Sequence, residues 1–460
     1  MKDRKKFVIS ELESYNKEIS KDIRYKKYCK MSVNDYAFYR GTAHLYWADF
    51  VNGKGSRKFS TEKTKIWVQG DLHAYNYGTF SNDAGELVYG LNDFDEGVIS
   101  DYQYDIWRMA TSLLLIAREN CPSKKKGKDL VAKFEKDLVV KFAHAYLEQI
   151  DKICRNVKEK KVIYTARQTD APLKCFMKEV KRKKAAARLK MLDKWTKDGM
   201  FDTSLEKLAQ VSDKERAIII EAIEGKDGTK SQYRKTLKGS LEKKDASYFK
   251  VLDVAERLLA GTGSLGTKRY YVLIEGDKTT KDDDVILDIK RQGTASAYPY
   301  LDKEERKLNR FKNDAERTVK AYRALASKSD GHLGWIKLPA IGDAPAGYYS
   351  VRERSPEKDA YPALIADLKK STRHLSLKKK SNFFSKCKQW GEILATSHAR
   401  ADSDARIPYC FEQEVRKATK GKEKEFCKLT YNIAADYADQ VAEDYKYFME
   451  WFDASNCPQS

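Results

Sequence analysis

The spacing of apolar and polar residues changes character along the chain. Up to about residue 120, short apolar runs such as KIWV and LVYG end in polar loops, which is typical of strands. Toward the end of this region Ile106, Met109 and Leu113 recur at intervals of three and four residues, which predicts an amphipathic helix. Residues 121–245 are Lys-rich and also helical in pattern.

From about residue 246 the pattern becomes β-rich. A Gly-rich turn at 261–266 precedes two runs, RYYVLIEG and VILDIKRQ, that together predict a hairpin. A long charged helix is predicted over 303–327, then further strand with a broken loop, and helices again up to the end. The sequence therefore predicts an α+β protein in which 1–245 and 356–460 form a larger helical lobe and 246–355 forms a small β-rich lobe.

Composition narrows the class of protein. The 460-residue chain has 89 Lys and Arg against 68 Asp and Glu, and the net charge of +21 favours an anionic partner of unspecified kind. Apolar residues make up 41%, enough for a sizeable core. The longest apolar run, Leu113–Ala117, is far shorter than the roughly 20 residues of a spanning helix. The basic start also lacks the apolar segment of a secretory signal. We therefore expect a cytoplasmic protein without a transmembrane segment.

The cysteine pattern argues against a metal ribbon. The eight cysteines include no Cys-x-x-Cys pair, which disfavours a zinc site or a redox dithiol. A chain of this size does not need disulfides, so we expect reduced, mostly buried thiols. The six histidines show no metal-ligand spacing such as HExxH.

The densest chemical signal lies in two loops that follow predicted strands, GDLHAYN and LNDFD. Asp71 precedes Asn76 by five positions, and Asp93 follows 17 positions later. Phosphoryl transfer needs one carboxylate to orient the acceptor hydroxyl, and an amide oxygen with a second carboxylate to hold Mg²⁺. The alternative is that both loops are ordinary polar turns, in which the Asp and Asn side chains hydrogen-bond to the backbone of their own turn. Because the three residues occur together and in order, we predict a catalytic Asp71 and metal ligands Asn76 and Asp93.

The second signal is GTGSLG, with Gly261, Gly263 and Gly266. The β-rich sequence after it does not suit a dinucleotide site, which requires a helix there, but it suits a flap over nucleotide phosphates. Lys290 lies one strand further on, where an inward charge requires a partner. Glu316 is the favoured partner, and other acids of the same helix stay open. For the glycines the alternative is an ordinary hairpin turn. For Glu316 the alternative is a position on a solvated helix face.

These parts are those of a protein-kinase-like fold in an unusual order. An ordinary kinase has the Gly-rich loop and its lysine first, whereas here the catalytic and metal loops come first. The segment WGEILATSHARAD (390–402) is similar to the helix that precedes the catalytic loop in aminoglycoside phosphotransferases, yet it lies near the end of the chain. A circular permutation would return every part to its usual place.

The sequence resembles the bacterial domain-of-unknown-function family 2252, which is grouped with the protein-kinase-like and aminoglycoside-phosphotransferase superfamily. The resemblance covers most of the chain and is weakest over 121–245. The matching stretches are 38–50, 67–80, 87–118, 261–276, 286–292, 313–325, 390–402 and 437–445. What the resemblance implies is a kinase-like fold; it supplies no substrate.

The resemblance also implies roles for single residues. Asp71 resembles the catalytic-loop aspartate, and Asn76 and Asp93 resemble the two metal ligands. Lys290 resembles the lysine that holds the α- and β-phosphates. Asp95 stands where a protein kinase has the glycine of Asp-Phe-Gly, which is common in small-molecule kinases and leaves open that Asp95 shares the metal.

Four neighbouring residues complete the set. Asp105 resembles a buried aspartate that braces the catalytic loop. His73 is expected to position other groups rather than to act as a base, and His44 is expected to be a core histidine. Arg40 is basic and close to these motifs in sequence, with no role that the sequence assigns.

The expected function is an ATP- and Mg²⁺-dependent phosphotransferase acting on an unidentified acceptor. Nucleotidyl (AMP) transfer stays open, because the same nucleotide-binding site can hold the nucleotide in the opposite orientation. The alternative from another class is a nucleotide-binding pseudokinase, or a nucleic-acid-binding protein that uses the basic surface around KRKKAAARLK. A nucleic-acid partner is not favoured, because few aromatics interleave with these lysines and no nucleic-acid-binding motif is visible.

Overall fold

The computed structural model describes residues 3–56, 58–120, 128–155, 158–226, 229–259, 265–277, 280–342, 344–455 and 457. Gly261, Gly263 and Cys121 therefore lie outside the described residues. Helix takes up 54% and strand 14% of the structure, so the protein is a mixed α+β protein, as predicted. It has a small sheet region and a larger helical region.

The helices run in chain order from the first described residues almost to the last. They are α1 (Arg4–Tyr15), α2 (Lys21–Met31), α3 (Asp35–Gly41), α4 (Ala43–Asp49), α5 (Gln103–Asn120), α6 (Lys128–Arg155), α7 (Leu173–Trp195), α8 (Asp213–Glu224), α9 (Lys303–Leu308), α10 (Asp314–Leu325), α11 (Lys380–Arg400), α12 (Phe411–Thr419) and α13 (Glu423–Trp451). The predicted helices of 121–245 and of 356–460 are among them.

The strands are short, and most of them lie between α7 and α11. They are β1 (Lys65–Val68), β2 (Tyr77–Ser81), β3 (Leu87–Leu91), β4 (Val98–Asp101), β5 (Thr196–Lys197), β6 (Met200–Phe201), β7 (Leu208–Gln210), β8 (Val251–Arg257), β9 (Arg269–Ile274), β10 (Val285–Arg291), β11 (Gly334–Leu338), β12 (Gly347–Glu353) and β13 (Asp359–Ala360).

The main sheet has six antiparallel strands in the order β11-β12-β10-β9-β8-β7. The predicted hairpin is present, with Lys290 of β10 opposite Arg269 of β9. The sheet also takes β7 from before residue 246, and α8, from the same stretch, packs against it. The β-rich region therefore begins about forty residues earlier than the pattern suggests.

Both faces of β10 are covered, which explains its apolar sequence. Val285, Leu287 and Ile289 belong to an apolar cluster with residues of α8. Side chains alternate across a strand, so Asp288 and Lys290 point to the opposite face. On that face Ile286 packs in an apolar cluster with Leu192 and Trp195 of α7, whereas Lys290 bonds to Asp95 of the helical region, so the boundary between sheet and helices is polar at Lys290.

The prediction of one long helix over 303–327 is wrong, because the chain breaks between α9 and α10. Asn309 ends α9, and its side chain accepts from Ile99 N (2.8 Å) and donates to Ile99 O (2.7 Å). Asn313 then caps α10 by accepting from Glu316 N at 2.8 Å. Both asparagines satisfy backbone groups outside a continuous helix, which makes the break favourable.

The prediction that all cysteines are reduced thiols is also wrong, since Cys29 and Cys457 form a disulfide. The ring of Tyr28 in α2 packs against Trp451 at the end of α13, with ring centroids 5.5 Å apart. This packing brings together two cysteines that are 428 residues apart in sequence. Of the free cysteines in the described residues, Cys387 and Cys427 are buried and Cys154, Cys175 and Cys410 are half-buried.

The helical region has one large apolar core, to which α5, α6, α11 and α13 contribute. Helix α5 is buried along most of its length, consistent with the apolar spacing in its sequence. In the part of the chain that the structure describes, no helix has an apolar stretch sufficient to cross a lipid bilayer.

Candidate active site between the sheet and the helices

A cavity of about 250 Å³ opens at the polar boundary between the main sheet and the helical region. Asp71, Asn76 and Asp93 line it from two loops of the helical region, and Lys290 lines it from β10. These four residues span 219 positions in the sequence, from 71 to 290. The structure thus brings together every predicted catalytic and metal-binding residue, together with the predicted phosphate-binding lysine.

The loop that carries Asp71 is fixed by its own backbone. Gly70 has a φ of 86°, and a Cβ at this position would overlap the carbonyl oxygen of Glu96, so only glycine fits. The carboxylate of Asp105 accepts from Gln69 N (2.7 Å) and Gly70 N (3.0 Å). His398 of α11 lies 3.2 Å from the same carboxylate. The bracing role predicted for Asp105 is therefore confirmed.

Asp71 pairs with a buried cation that the sequence reasoning missed. Arg108 Nε donates to Asp71 Oδ1 at 2.7 Å, and its guanidinium packs over Tyr39 with Cζ 4.3 Å from the ring centroid. Burial raises the pKa of Asp71 to about 7, because it outweighs the attraction of Arg108 and because Glu96 adds repulsion. A carboxylate that changes protonation near neutral pH suits a general base.

The raised pKa of Asp71 predicts a pH dependence with a definite sign. Below pH 7 the carboxyl is mainly protonated and cannot accept a proton, and above pH 7 it is mainly ionised. With a pKa near 7, the ionised fraction rises from about one tenth at pH 6 to about nine tenths at pH 8. The rate of any reaction in which this carboxylate accepts a proton should rise over the same interval. Proton titration of both proteins should show that wild type has one more group that titrates near pH 7 than Asp71→Asn has. If the two titration curves differ only below pH 5, the raised pKa of Asp71 is contradicted.

The two predicted metal ligands present oxygen atoms at the cavity. Asn76 Nδ2 donates to Asp71 O at 2.9 Å, which leaves the amide oxygen unengaged by this contact. Asp93 has a φ of 61°, a left-handed conformation that a non-glycine residue adopts at some strain. Within the described residues, no hydrogen bond or ion pair is made by its carboxylate. An amide oxygen and a free carboxylate are a donor set that fits Mg²⁺.

Lys290 has a partner, but it is not the predicted one. Its Nζ donates to Asp95, which also accepts from Gln292 Nε2 at 3.0 Å. Lys290 holds the pKa of Asp95 well below its usual range although burial opposes this. The side chain of Asp95, which the sequence left as a further metal ligand, is engaged by these two contacts.

The prediction that Glu316 pairs with Lys290 is wrong. Glu316 lies in the first turn of α10, where it accepts from Lys312 N at 2.9 Å and pairs with Lys320 at 2.8 Å. The pair with Lys320 follows from their spacing of four residues, which places both on one helix face. Asp95 reaches Lys290 instead because it follows Asp93 by two positions on the loop opposite β10.

The Gly-rich stretch can be placed only in part. It connects the antiparallel neighbours β8 and β9, as predicted. Gly266 has a φ of 90°, and a Cβ there would lie 2.9 Å from a methyl carbon of Ile23. Gly266 therefore allows the N-terminal region to approach closely, and the next residue, Thr267, lines the cavity. Gly261 and Gly263 stay outside the described residues, so their contact with phosphates remains a prediction.

His73 and Tyr15 also line the cavity near Asp71, whereas His44 lies in the core against Tyr15. His73 is buried and lines the cavity; burial keeps its pKa well below the usual value, so the ring is neutral. His44 is buried and stacked on Tyr15 with ring centroids 4.0 Å apart, which confirms it as a core histidine. Tyr15 itself lines the cavity, a position that no sequence motif indicated.

Comparison with known proteins gives one match. The model of the family described as "Uncharacterized protein conserved in bacteria (DUF2252)" matches residues 21–451. Neither the curated proteins nor the solved structures include a match to the chain. The family match spans both walls of the cavity, including the loops of Asp71 and Asp93 and strand β10.

Proposed function

The chain belongs to the DUF2252 family of bacterial proteins, and we propose that it is an ATP- and Mg²⁺-dependent phosphotransferase with a circularly permuted protein-kinase-like fold. One observation carries the proposal: Lys290 of the sheet and Asp71, Asn76 and Asp93 of the helical region line a single cavity. A basic group for phosphates, oxygen ligands for a metal and a carboxylate for proton removal are the parts that phosphoryl transfer needs.

The permutation is supported by how the end of the chain meets its beginning. Helix α11 comes near the C-terminus, and its His398 contacts Asp105, which in turn holds the backbone before Asp71. A helix that would directly precede the catalytic loop in the usual order thus lies beside that loop in space. The sheet with Lys290 is inserted between the two halves of the helical region.

The proposed reaction is an in-line transfer to an acceptor hydroxyl. The hydroxyl oxygen attacks the γ-phosphorus of ATP, the bond from that phosphorus to the bridging oxygen breaks, and ADP leaves. Asp71 takes the proton of the hydroxyl, and Arg108 orients its carboxylate through the hydrogen bond from Nε. Asn76 and Asp93 would hold Mg²⁺, which when bound neutralises charge on the phosphate oxygens.

The size of the cavity limits how ATP fits. Its volume of about 250 Å³ is below the roughly 300–1,000 Å³ of sites that enclose a drug-sized ligand. In the proposed complex the phosphates occupy the cavity between Lys290 and Asp93, and the nucleoside lies toward the opening.

Lys290→Ala should weaken nucleotide binding, because it removes a charge-assisted contact to the phosphates. The expected loss is about 1–3 kcal/mol in the binding free energy, measured by calorimetry with Mg²⁺ and ATP. EDTA should lower the affinity of the wild type as well, since the metal bridges phosphates and carboxylates. The matched control is Lys307→Ala, which removes a half-exposed lysine of α9 that pairs with Glu304. Equal affinities for the three proteins would contradict the assignment of Lys290.

Mass spectrometry after incubation with Mg²⁺ and ATP tests the function itself. Mass shifts are sought both on the protein itself and on a pool of added small-molecule acceptors. A phosphate adduct that is absent with Asp71→Asn supports phosphoryl transfer. An AMP adduct would show nucleotidyl transfer instead, and ATP binding without any adduct or ATP consumption would favour the pseudokinase alternative.

A further inference from the structure

Arg40 lines the cavity and has no hydrogen-bond or ion-pair partner among the described residues. It comes from α3, and its guanidinium lies over the ring of Tyr75 with Cζ 4.9 Å from the ring centroid. Its Nε is buried and makes no hydrogen bond within the described residues, and no carboxylate there lies within ion-pairing distance. The side chain is nevertheless part of the cavity wall.

Arg108 beside Asp71 and Lys290 in the cavity wall are both paired, whereas Nε of Arg291, which also lines the cavity, makes no hydrogen bond within the described residues. Arg108 bonds to Asp71, and Lys290 bonds to Asp95. An unpaired buried donor is unfavourable, because it has lost water without gaining an acceptor. Burial raises the pKa of Asp367, and the positive charge of Arg40 opposes this shift. Asp367 instead accepts a hydrogen bond from Tyr75.

The position of Arg40 separates it from the phosphate-binding lysine. Tyr75, on which Arg40 stacks, lies four residues after Asp71 in the same loop. Arg40 also acts on His73, lowering the pKa of that ring together with burial. Arg40 therefore belongs to the wall of the cavity formed by the Asp71 loop, whereas Lys290 belongs to the wall formed by the sheet.

We propose that Arg40 binds an oxyanion of the acceptor, so that the acceptor is a small molecule that carries a carboxylate or phosphate group beside the hydroxyl presented to Asp71. A guanidinium offers two parallel N–H donors that match either group. The aromatic face of Tyr75 keeps the guanidinium plane fixed, which lowers the entropy lost on binding. This inference rests on the proposed function, because that function assigns Asp71 to the acceptor.

The test is calorimetric titration of the full chain with two probes, inorganic phosphate and glycerate. Wild type should bind at least one of them, and the stronger probe identifies which oxyanion the site prefers. Arg40→Met should weaken that binding at least tenfold, and Arg40→Lys should retain part of it. The matched control is Arg167→Met, which removes an exposed arginine outside the cavity and should change nothing. Circular dichroism of each variant confirms that it is folded.

Titration of the same proteins with Mg²⁺ and ATP separates this inference from the proposed function. Loss of probe binding with unchanged ATP affinity in Arg40→Met supports the inference. Loss of ATP affinity by Arg40→Met, with no change for the probes, would assign Arg40 to the nucleotide and overturn it. Wild type that binds neither probe, or Arg40→Met that binds both as well as wild type does, would also overturn it. Wild type that binds a probe but no ATP would overturn the proposed function instead.

Discussion

Asp71→Asn should lower the rate of ATP consumption by about 10²–10⁴-fold and leave ATP affinity within a few-fold. The amide cannot accept the proton of the acceptor hydroxyl, but its oxygen can still accept the hydrogen bond from Arg108. The substitution removes proton transfer from the acceptor hydroxyl to Asp71. That interaction stabilises the transition state but contributes little to the binding of ATP. Steady-state kinetics and calorimetry on the same protein measure the two quantities separately.

The matched control is Asp137→Asn, which changes a half-exposed aspartate of α6 away from the cavity. It should leave both the rate and the affinity unchanged. If Asp71→Asn consumed ATP as fast as wild type, Asp71 would not be the base. If it lost ATP affinity and rate together, Asp71 would be a nucleotide or metal ligand.

Arg108→Met should lower the free energy of unfolding by about 3–5 kcal/mol, the usual effect of removing one partner from a buried ion pair. Arg108 is 1% exposed, and without it the Asp71 carboxylate would face Glu96 and Asp93 with no compensating charge. The pKa of Asp71 would rise further above 7. The loss of stability should therefore be larger at pH 8, where ionised Asp71 must be accommodated, than at pH 6, where it is protonated.

Urea denaturation at both pH values measures this difference, with Arg167→Met as a control of the same chemistry at an exposed position. Adding Asp71→Asn to Arg108→Met should restore part of the stability, because the unpaired charge is gone. A loss for Arg108→Met that is the same at pH 6 and pH 8, with no recovery in the double variant, would mean that packing against Tyr39 and Tyr46 accounts for the whole effect.

Local sequence patterns predicted the elements that depend on local chemistry. The hairpin of β9 and β10 follows from two β-rich runs and a polar connection, and the loop of Asp71 follows from a strand that ends in polar residues. The expectation that Asp71, Asn76, Asp93 and Lys290 share one site came from their motifs taken together and from the resemblance of those motifs to kinase-like proteins, because each motif alone is equally typical of an ordinary polar turn.

Features that depend on packing between distant segments were missed. The partner of Lys290 depends on which loop faces β10. The position of Glu316 along its own helix does not indicate which loop that is. Arg108 lies on an apolar helix face, and a charged residue there is the one signal that could have indicated its buried partner. The disulfide between Cys29 and Cys457 depends on α2 packing against α13, which no local pattern shows.

In the proposed function the cavity binds the phosphates of ATP between the sheet and the loop of Asp93. A crystal structure of the protein with Mg²⁺ and a non-hydrolysable ATP analogue tests this most directly. We predict phosphate density in contact with Lys290 Nζ and a metal ion held by Asn76 and Asp93. Analogue density elsewhere on the protein, with this cavity holding only water at a saturating analogue concentration, would contradict the claim.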